Sequence, residues 1–235
     1  MCKAPIRRPP DVRGSAVTAS RDDVKGLDRQ SMAARLARDI PEGWYCNLGL
    51  GLPTLIPDHI PAGREVVFHS ENGVLGMGPV PAKDRVDTWL VNATKQNITL
   101  VKGASLFHHA DSFGMIRGGH LDLCVLGAYE VAENGDIANW ATSQNDAVPA
   151  VGGAMDLSAG SKRLWVLMEH TTKDGQSRLV KACKYPLTAA GVVKRVYTNL
   201  AVLDVTAEGF AVLDMAPGVT FDALQARTEA KLRLA

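Results

Sequence analysis

The stretch Val66-Val67-Phe68-His69-Ser70-Glu71-Asn72-Gly73-Val74-Leu75-Gly76-Met77-Gly78 decides the reading of this chain: an apolar run breaks into a carboxylate and then into three glycines. A β-forming run followed by a Gly-punctuated turn predicts a buried strand whose C-terminal end carries Glu71. In open α/β sheets that end is where ligands bind. Gly73, Gly76 and Gly78 would let the backbone approach a substrate closely or adopt positive φ, which a residue with a Cβ resists. A carboxylate held there can act as nucleophile or base, or can be a helix N-cap neighbour or salt-bridge partner. Position alone leaves these open.

Upstream, Asp28 predicts a helix cap, with Met32, Leu36 and Ile40 recurring along one face and Pro41 with Gly43 closing the helix. Trp44-Tyr45-Cys46-Asn47-Leu48 then predicts a strand running into the glycine turn Gly49-Leu50-Gly51-Leu52-Pro53-Thr54. Asn-x-Gly-x-Gly can cradle a phosphate ahead of a helix, but it lacks G-x-G-x-x-G spacing, and a plain tight turn is the simpler reading. Residues 1–26, rich in Pro, Arg, Asp and Ser without hydrophobic periodicity, read as a flexible arm, and 27–235 as the folded domain. Six basic residues in the arm invite a transit-peptide reading, which Asp11, Asp22 and Asp23 oppose.

Downstream, Trp89-Leu90-Val91 and Ile98-Thr99-Leu100-Val101 read as short strands flanking a polar connection that holds Lys95, either a solvated lysine or a phosphate contact. Residues 121–127 have the apolar density of a central strand, and Gly152-Gly153-Ala154-Met155-Asp156-Leu157 reads as a small-residue turn with a strand beyond it over 164–168. Glycine-bearing turns after apolar strands are expected to converge on one rim. The end of the chain is β-rich, over 192–197, 200–205 and 209–213, with a last helix capped by Thr220.

With 26 Lys and Arg against 25 acids, no global field draws nucleic acid or anionic lipid, so any anion site must be local. A chain 46% hydrophobic and 22% charged, with no apolar stretch near 20 residues, reads as soluble rather than membrane-bound. The four cysteines lack a C-x-x-C pair, which predicts a reducing, cytoplasmic setting, with Cys46 and Cys124 as small buried hydrophobes. His108, His109 and Asp111 do not have metal-ligand spacing, and no metal is expected.

Five ordered motifs now bear on family. Ser70-Glu71-Asn72-Gly73 fits an E-x-G-x-x-G pattern through Gly76 and continues into Met77-Gly78-Pro79. With it come residues 47–54, Arg117-Gly118-Gly119-His120-Leu121-Asp122, residues 152–157, and His170-Thr171-Thr172-Lys173-Asp174-Gly175. From about Asp28 onward the chain resembles the B subunit of the two-subunit 3-oxoacid CoA-transferases of family I. Within that family, Leu106-Phe107-His108-His109-Ala110-Asp111-Ser112-Phe113 is most similar to the 3-oxoadipate enzymes.

The resemblance implies a NagB/RpiA/CoA-transferase-like open α/β sheet with helices on both faces and a β-rich C-terminal part. It implies that Glu71 is the nucleophile that carries CoA from succinyl-CoA to a 3-oxoacid as a glutamyl-CoA thioester. Asn47 would bind substrate, the Gly152 and Gly153 backbone would face the oxyanion, and Lys95, Gly73 and Gly76 would contact CoA. Lys95 here follows Ala93-Thr94, where many relatives have Ala-Gly. CoA enters as co-substrate, with no tightly bound cofactor. The family's A subunit is the implied partner, in a heterotetramer of two A and two B, and the chain alone is expected to turn over little. Acetoacetate is the alternative acceptor. A non-catalytic ligand-sensing or assembly protein on the same fold would have no use for Glu71 within its motif, and a hydrolase would pass the glutamyl thioester to water.

Overall fold

The computed structural model describes residues 25–143 and 150–235, so the arm expected over 1–26 lies almost wholly outside the described residues. Helix α1 (Arg29–Asp39) starts where Asp28 Oδ1 accepts the Ser31 N–H at 2.7 Å, a bond that also holds the Asp28 carboxyl below its ordinary range. Its Met32 and Leu36, and the Ile40 that follows, are fully buried, each contributing about 1.5–3 kcal/mol. Strands β1 (Tyr45–Leu48), β2 (Val67–Ser70), β3 (Val74–Met77) and β4 (Leu100–Leu106) follow, then helix α2 (His109–Arg117) and strand β5 (Leu123–Leu126). Next come β6 (Glu130–Ala132), β7 (Ile137–Ala138), helix α3 (Ala154–Gly160), β8 (Leu164–Leu167) and β9 (Leu179–Val180). The chain closes with β10 (Val193–Tyr197), β11 (Ala201–Thr206), β12 (Gly209–Met215), helix α4 (Phe221–Gln225) and β13 (Leu232–Leu234).

Ten strands form one sheet in the order β13-β12-β11-β10-β8-β5-β1-β2-β3-β4, whose middle five are parallel. β5 and β8 are buried along their whole length, because helices cover both faces. Alternation sorts their side chains. Leu123, Val125, Trp165 and Leu167 pack with Met32 and Leu36 of α1 on one face. Cys124, Leu126, Leu164 and Val166 pack with Ile116 of α2 and Leu157 of α3 on the other. β6, β7 and β9 form a separate small sheet on that second face.

Several expectations need correction. Residues 89–91 do not form a strand: their ladder is a single bridge from Val91 to Asn97. The run 152–157 is a turn only at its glycines, since Ala154 already begins α3. The β-rich end forms as expected and belongs to the main sheet, because β10 pairs with β8 and draws β11, β12 and β13 into it. No helix among the described residues is long and apolar enough to cross a membrane.

Candidate active site

β1 sits between β2 and β5, so the chain leaves it towards one side of the sheet and later returns on the other. At such a switch point the strand ends part and leave a crevice. A cavity of about 800 Å³ opens there, walled by Asn47 and Leu48 from β1, His69 to Glu71 from β2, Leu126 and Gly127 after β5, and Gly152 to Ala154 at the start of α3. The glycine turns therefore do meet on one rim.

Glu71 is the first residue beyond β2, and the turn that aims it is a tight hairpin into β3. Gly73 N–H donates to the Ser70 carbonyl at 3.0 Å, with φ of 109°. Its own carbonyl accepts the Phe107 N–H at 3.0 Å, and a Cβ on Gly73 would overlap the Phe107 oxygen. Gly76, with φ of 85°, lies so close to β4 that a Cβ would come within 2.9 Å of the Ala104 methyl. Neither glycine lines the cavity; both serve the hairpin on which Glu71 stands.

The Glu71 side chain is half-buried, and among the described residues no hydrogen bond or ion pair holds its carboxylate. Burial raises its pKa, the charge of His109 opposes that rise, and Asp156 adds to it. The carboxylate lies against Gly153: a Cβ there would overlap Glu71 Oε2 and come within 3.1 Å of the Phe113 ring. The Gly152 and Gly153 N–H groups donate to no described backbone acceptor.

Asn47 is opposite His69 on β2 and Cys124 on β5. Its Nδ2 donates to His69 Nδ1 at 3.0 Å and to the His69 carbonyl at 3.2 Å. Burial drops the His69 pKa to about 4, so the ring is neutral near pH 7. With Nδ1 accepting, the proton sits on Nε2 and is donated to Ser112 Oγ of α2 at 2.8 Å. This Ser112–His69–Asn47 chain was not foreseen from sequence. The signal was there in part, since His69 directly precedes the Ser-Glu-Asn-Gly motif.

Lys95 is exposed and does not line the cavity, although its neighbours Thr94 and Gln96 do. The loop is tied by Asn92 Oδ1, which accepts from Thr94 N–H, Thr94 Oγ1 and Gln96 N–H, and it holds Lys95 at φ of 64°. The paired histidines have separate local tasks. His108 Nδ1 accepts the Ala110 N–H at 3.1 Å as the cap of α2, and His109 packs on Phe113 with ring centroids 4.8 Å apart. Cys46 and Cys124 are buried free thiols, and burial pushes Cys46 up to about 12, which keeps it unreactive. Sequence reasoning also passed over Arg178, which reaches the cavity wall after β8 and donates from Nη1 to the Ala128 carbonyl at 3.3 Å.

A family model described as Coenzyme A transferase matches residues 29–227, and the chain belongs to that family. It is 54% identical to the B subunit of the 3-oxoadipate CoA-transferase of Pseudomonas putida over 202 residues, covering 86% of this chain and 94% of the relative. It is 45% identical to the B subunit of the succinyl-CoA:3-ketoacid coenzyme A transferase of Helicobacter pylori over 206 residues, covering 88% of this chain and 99% of that one. Among solved structures, the apoenzyme of the acyl-CoA transferase from Escherichia coli O157:H7 superposes with a TM-score of 0.70 at 19% identity. That match covers 89% of this chain and only 43% of the longer one, and it speaks to fold alone. The chain is thus the B-type component of a two-component CoA-transferase.

Proposed function

We propose that this chain, with its A-type partner, moves CoA from succinyl-CoA to a 3-oxoacid, 3-oxoadipate in preference to acetoacetate, through a thioester on Glu71. The observation that carries the reading is a half-buried carboxylate, free of any ion pair among the described residues, facing the switch-point cavity of a coenzyme A transferase. The preference for 3-oxoadipate follows the naming of the 54% identical relative.

In this reading a Glu71 oxygen attacks the thioester carbonyl; the C–S bond breaks, and the thiolate of CoA leaves an acyl-glutamyl anhydride. The thiolate attacks the Glu71 carbonyl carbon, the C–O bond breaks, and succinate departs from a glutamyl-CoA thioester. The acceptor carboxylate repeats the sequence in reverse and restores Glu71. No electrons change hands and no water is consumed. Burial supports the first step, because a carboxylate stripped of water is the stronger nucleophile once ionised. Each tetrahedral intermediate bears an oxyanion; the Gly152 and Gly153 N–H groups, which donate to no described backbone acceptor, are donors in reach of the cavity, while Asn47, tied to His69 through its amide N–H groups, positions the wall beside them. Asp58, Glu71 and Arg178 are the charged side chains among the described lining residues, so CoA phosphates would find their cations at the rim, where Lys95 stands, or on the partner.

The partner closes the cleft in this reading, in a cytoplasmic assembly of two A-type and two B-type chains. Leu50 and Val80 line the cavity yet are 71% and 73% exposed, apolar surface that a second chain would cover. The test is mass spectrometry of the assembled complex after incubation with succinyl-CoA and borohydride reduction. The expected result is reduction confined to Glu71 in the wild type, and loss of transfer by more than about 10³-fold in Glu71→Gln with assembly intact. Retained transfer in that variant would end the covalent route.

A further inference from the structure

Arg178 is the single cationic side chain among the described residues that line the cavity. Its partners do not neutralise it. Nη1 donates to one carbonyl, that of Ala128, Nε is buried with no acceptor, and no carboxylate pairs with the guanidinium among the described residues. Two other arginines are paired with carboxylates: Arg195 meets Asp204 through two N–H bonds at 2.6 and 3.1 Å, and Arg117 meets Asp156 through two more at 2.7 and 3.2 Å; Arg64, like Arg178, is held by carbonyls, but it does not line the cavity. A guanidinium in a cavity wall that no carboxylate among the described residues pairs with is a standing site for an anion, since a carboxylate there forms charge-assisted hydrogen bonds at little reorganisation cost.

We infer that Arg178 is the subsite for the second carboxylate of a dicarboxylic acyl group, the one that does not react. The inference rests on the reading above, in which one carboxylate of the acid is consumed at Glu71. A four- to six-carbon diacid carries its other charge away from that point and into the same cavity, where burying it unpaired would be costly. Arg178 supplies the charge there. A monocarboxylic acid of equal length has nothing for Arg178 to hold, so the residue sets specificity and leaves the chemical step to Glu71.

The experiment uses the assembled two-component complex, with succinyl-CoA as donor throughout. Transfer to 3-oxoadipate is compared with transfer to 3-oxohexanoate, which has the same chain without the distal carboxylate. Any effect on the donor cancels in the ratio. For Arg178→Gln the expected result is a ten- to hundredfold rise in KM for 3-oxoadipate with 3-oxohexanoate changed less than about twofold, and partial rescue by Arg178→Lys. Equal losses on both acids, or no loss on either, would overturn the assignment. Calorimetric titration with adipate and hexanoate reads the subsite without turnover: adipate should bind more tightly than hexanoate in the wild type and lose that margin in Arg178→Gln. If adipate keeps its Arg178-dependent margin while the wild-type complex moves no CoA, the transfer reading falls and the subsite stands. If CoA moves but the margin is absent, the reverse holds.

Discussion

Glu71 and Gly153 are a pair in which one residue's lack of a side chain makes room for the other's charge. Gly153 has φ of −69°, which alanine adopts without strain; its Cβ would overlap only the mobile end of Glu71 and would lie 3.1 Å from the Phe113 ring, which a shift of a few tenths of an ångström relieves. Gly153→Ala should therefore leave the melting temperature within about 2 °C of wild type and cut transfer by about 10²-fold, since a displacement near 1 Å at the reacting group costs about that much. The N–H survives the substitution, so the loss would report position rather than a missing donor. The pH profile offers a second check. Glu71 must be ionised to attack, and its pKa lies above the ordinary carboxylate value, so the rate should rise with pH through that displaced value. Asp156→Asn removes a charge that raises the Glu71 pKa, and the acid limb of the profile should move to lower pH.

The hairpin between β2 and β3 is the element that turns a sequence motif into a site. Its glycines are legible as positions that need positive φ or a close approach, and both needs are met; what no local pattern announces is that Gly73 and Gly76 face β4 and the residues just after it, some thirty positions on. Gly73→Ala should destabilise the fold by about 2 kcal/mol or more, read as a lowered denaturant midpoint, because φ of 109° and the Phe107 carbonyl both oppose a methyl group. Helix α1 was fully legible, since Asp28, Met32, Leu36 and Ile40 declare cap and face locally. Helix α2 was not. Its polar Leu-Phe-His-His-Ala-Asp-Ser-Phe lead has little helical periodicity, and it forms because His108 caps it and Ser112 and Ile116 find buried places against the sheet.

Across the whole molecule, two buried histidines tie stability to pH. His69 and His170 both have pKa values lowered to about 4 by burial, and His170 lies between the Thr198 and Thr228 hydroxyls at 3.0 and 2.9 Å. Unfolded, each takes a proton near pH 6.5; folded, each refuses it until about pH 4. Their contribution is complete above 6.5 and is lost as pH falls through that window, up to about 3 kcal/mol for each ring. Thermal melts at pH 7 and pH 5 should show the loss, and His170→Gln should flatten it. The parallel centre of the sheet was legible from its unbroken apolar runs; the joining of the β-rich end to it was not, because nothing local in 192–197 announces that β10 will lie beside β8.

Strand β1 has four residues, and not all of them look towards the crevice. Asn47 does, while Cys46 faces the α1 side of the sheet. A slip of one position would exchange them, placing a thiol in the solvent-filled cleft and an amide in the oily layer beneath α1. Turnover and thiol masking are therefore two readings of one alignment: a preparation in which Cys46 reacts with a maleimide is also one in which catalysis has been lost, and the labelled fraction should equal the inactive fraction.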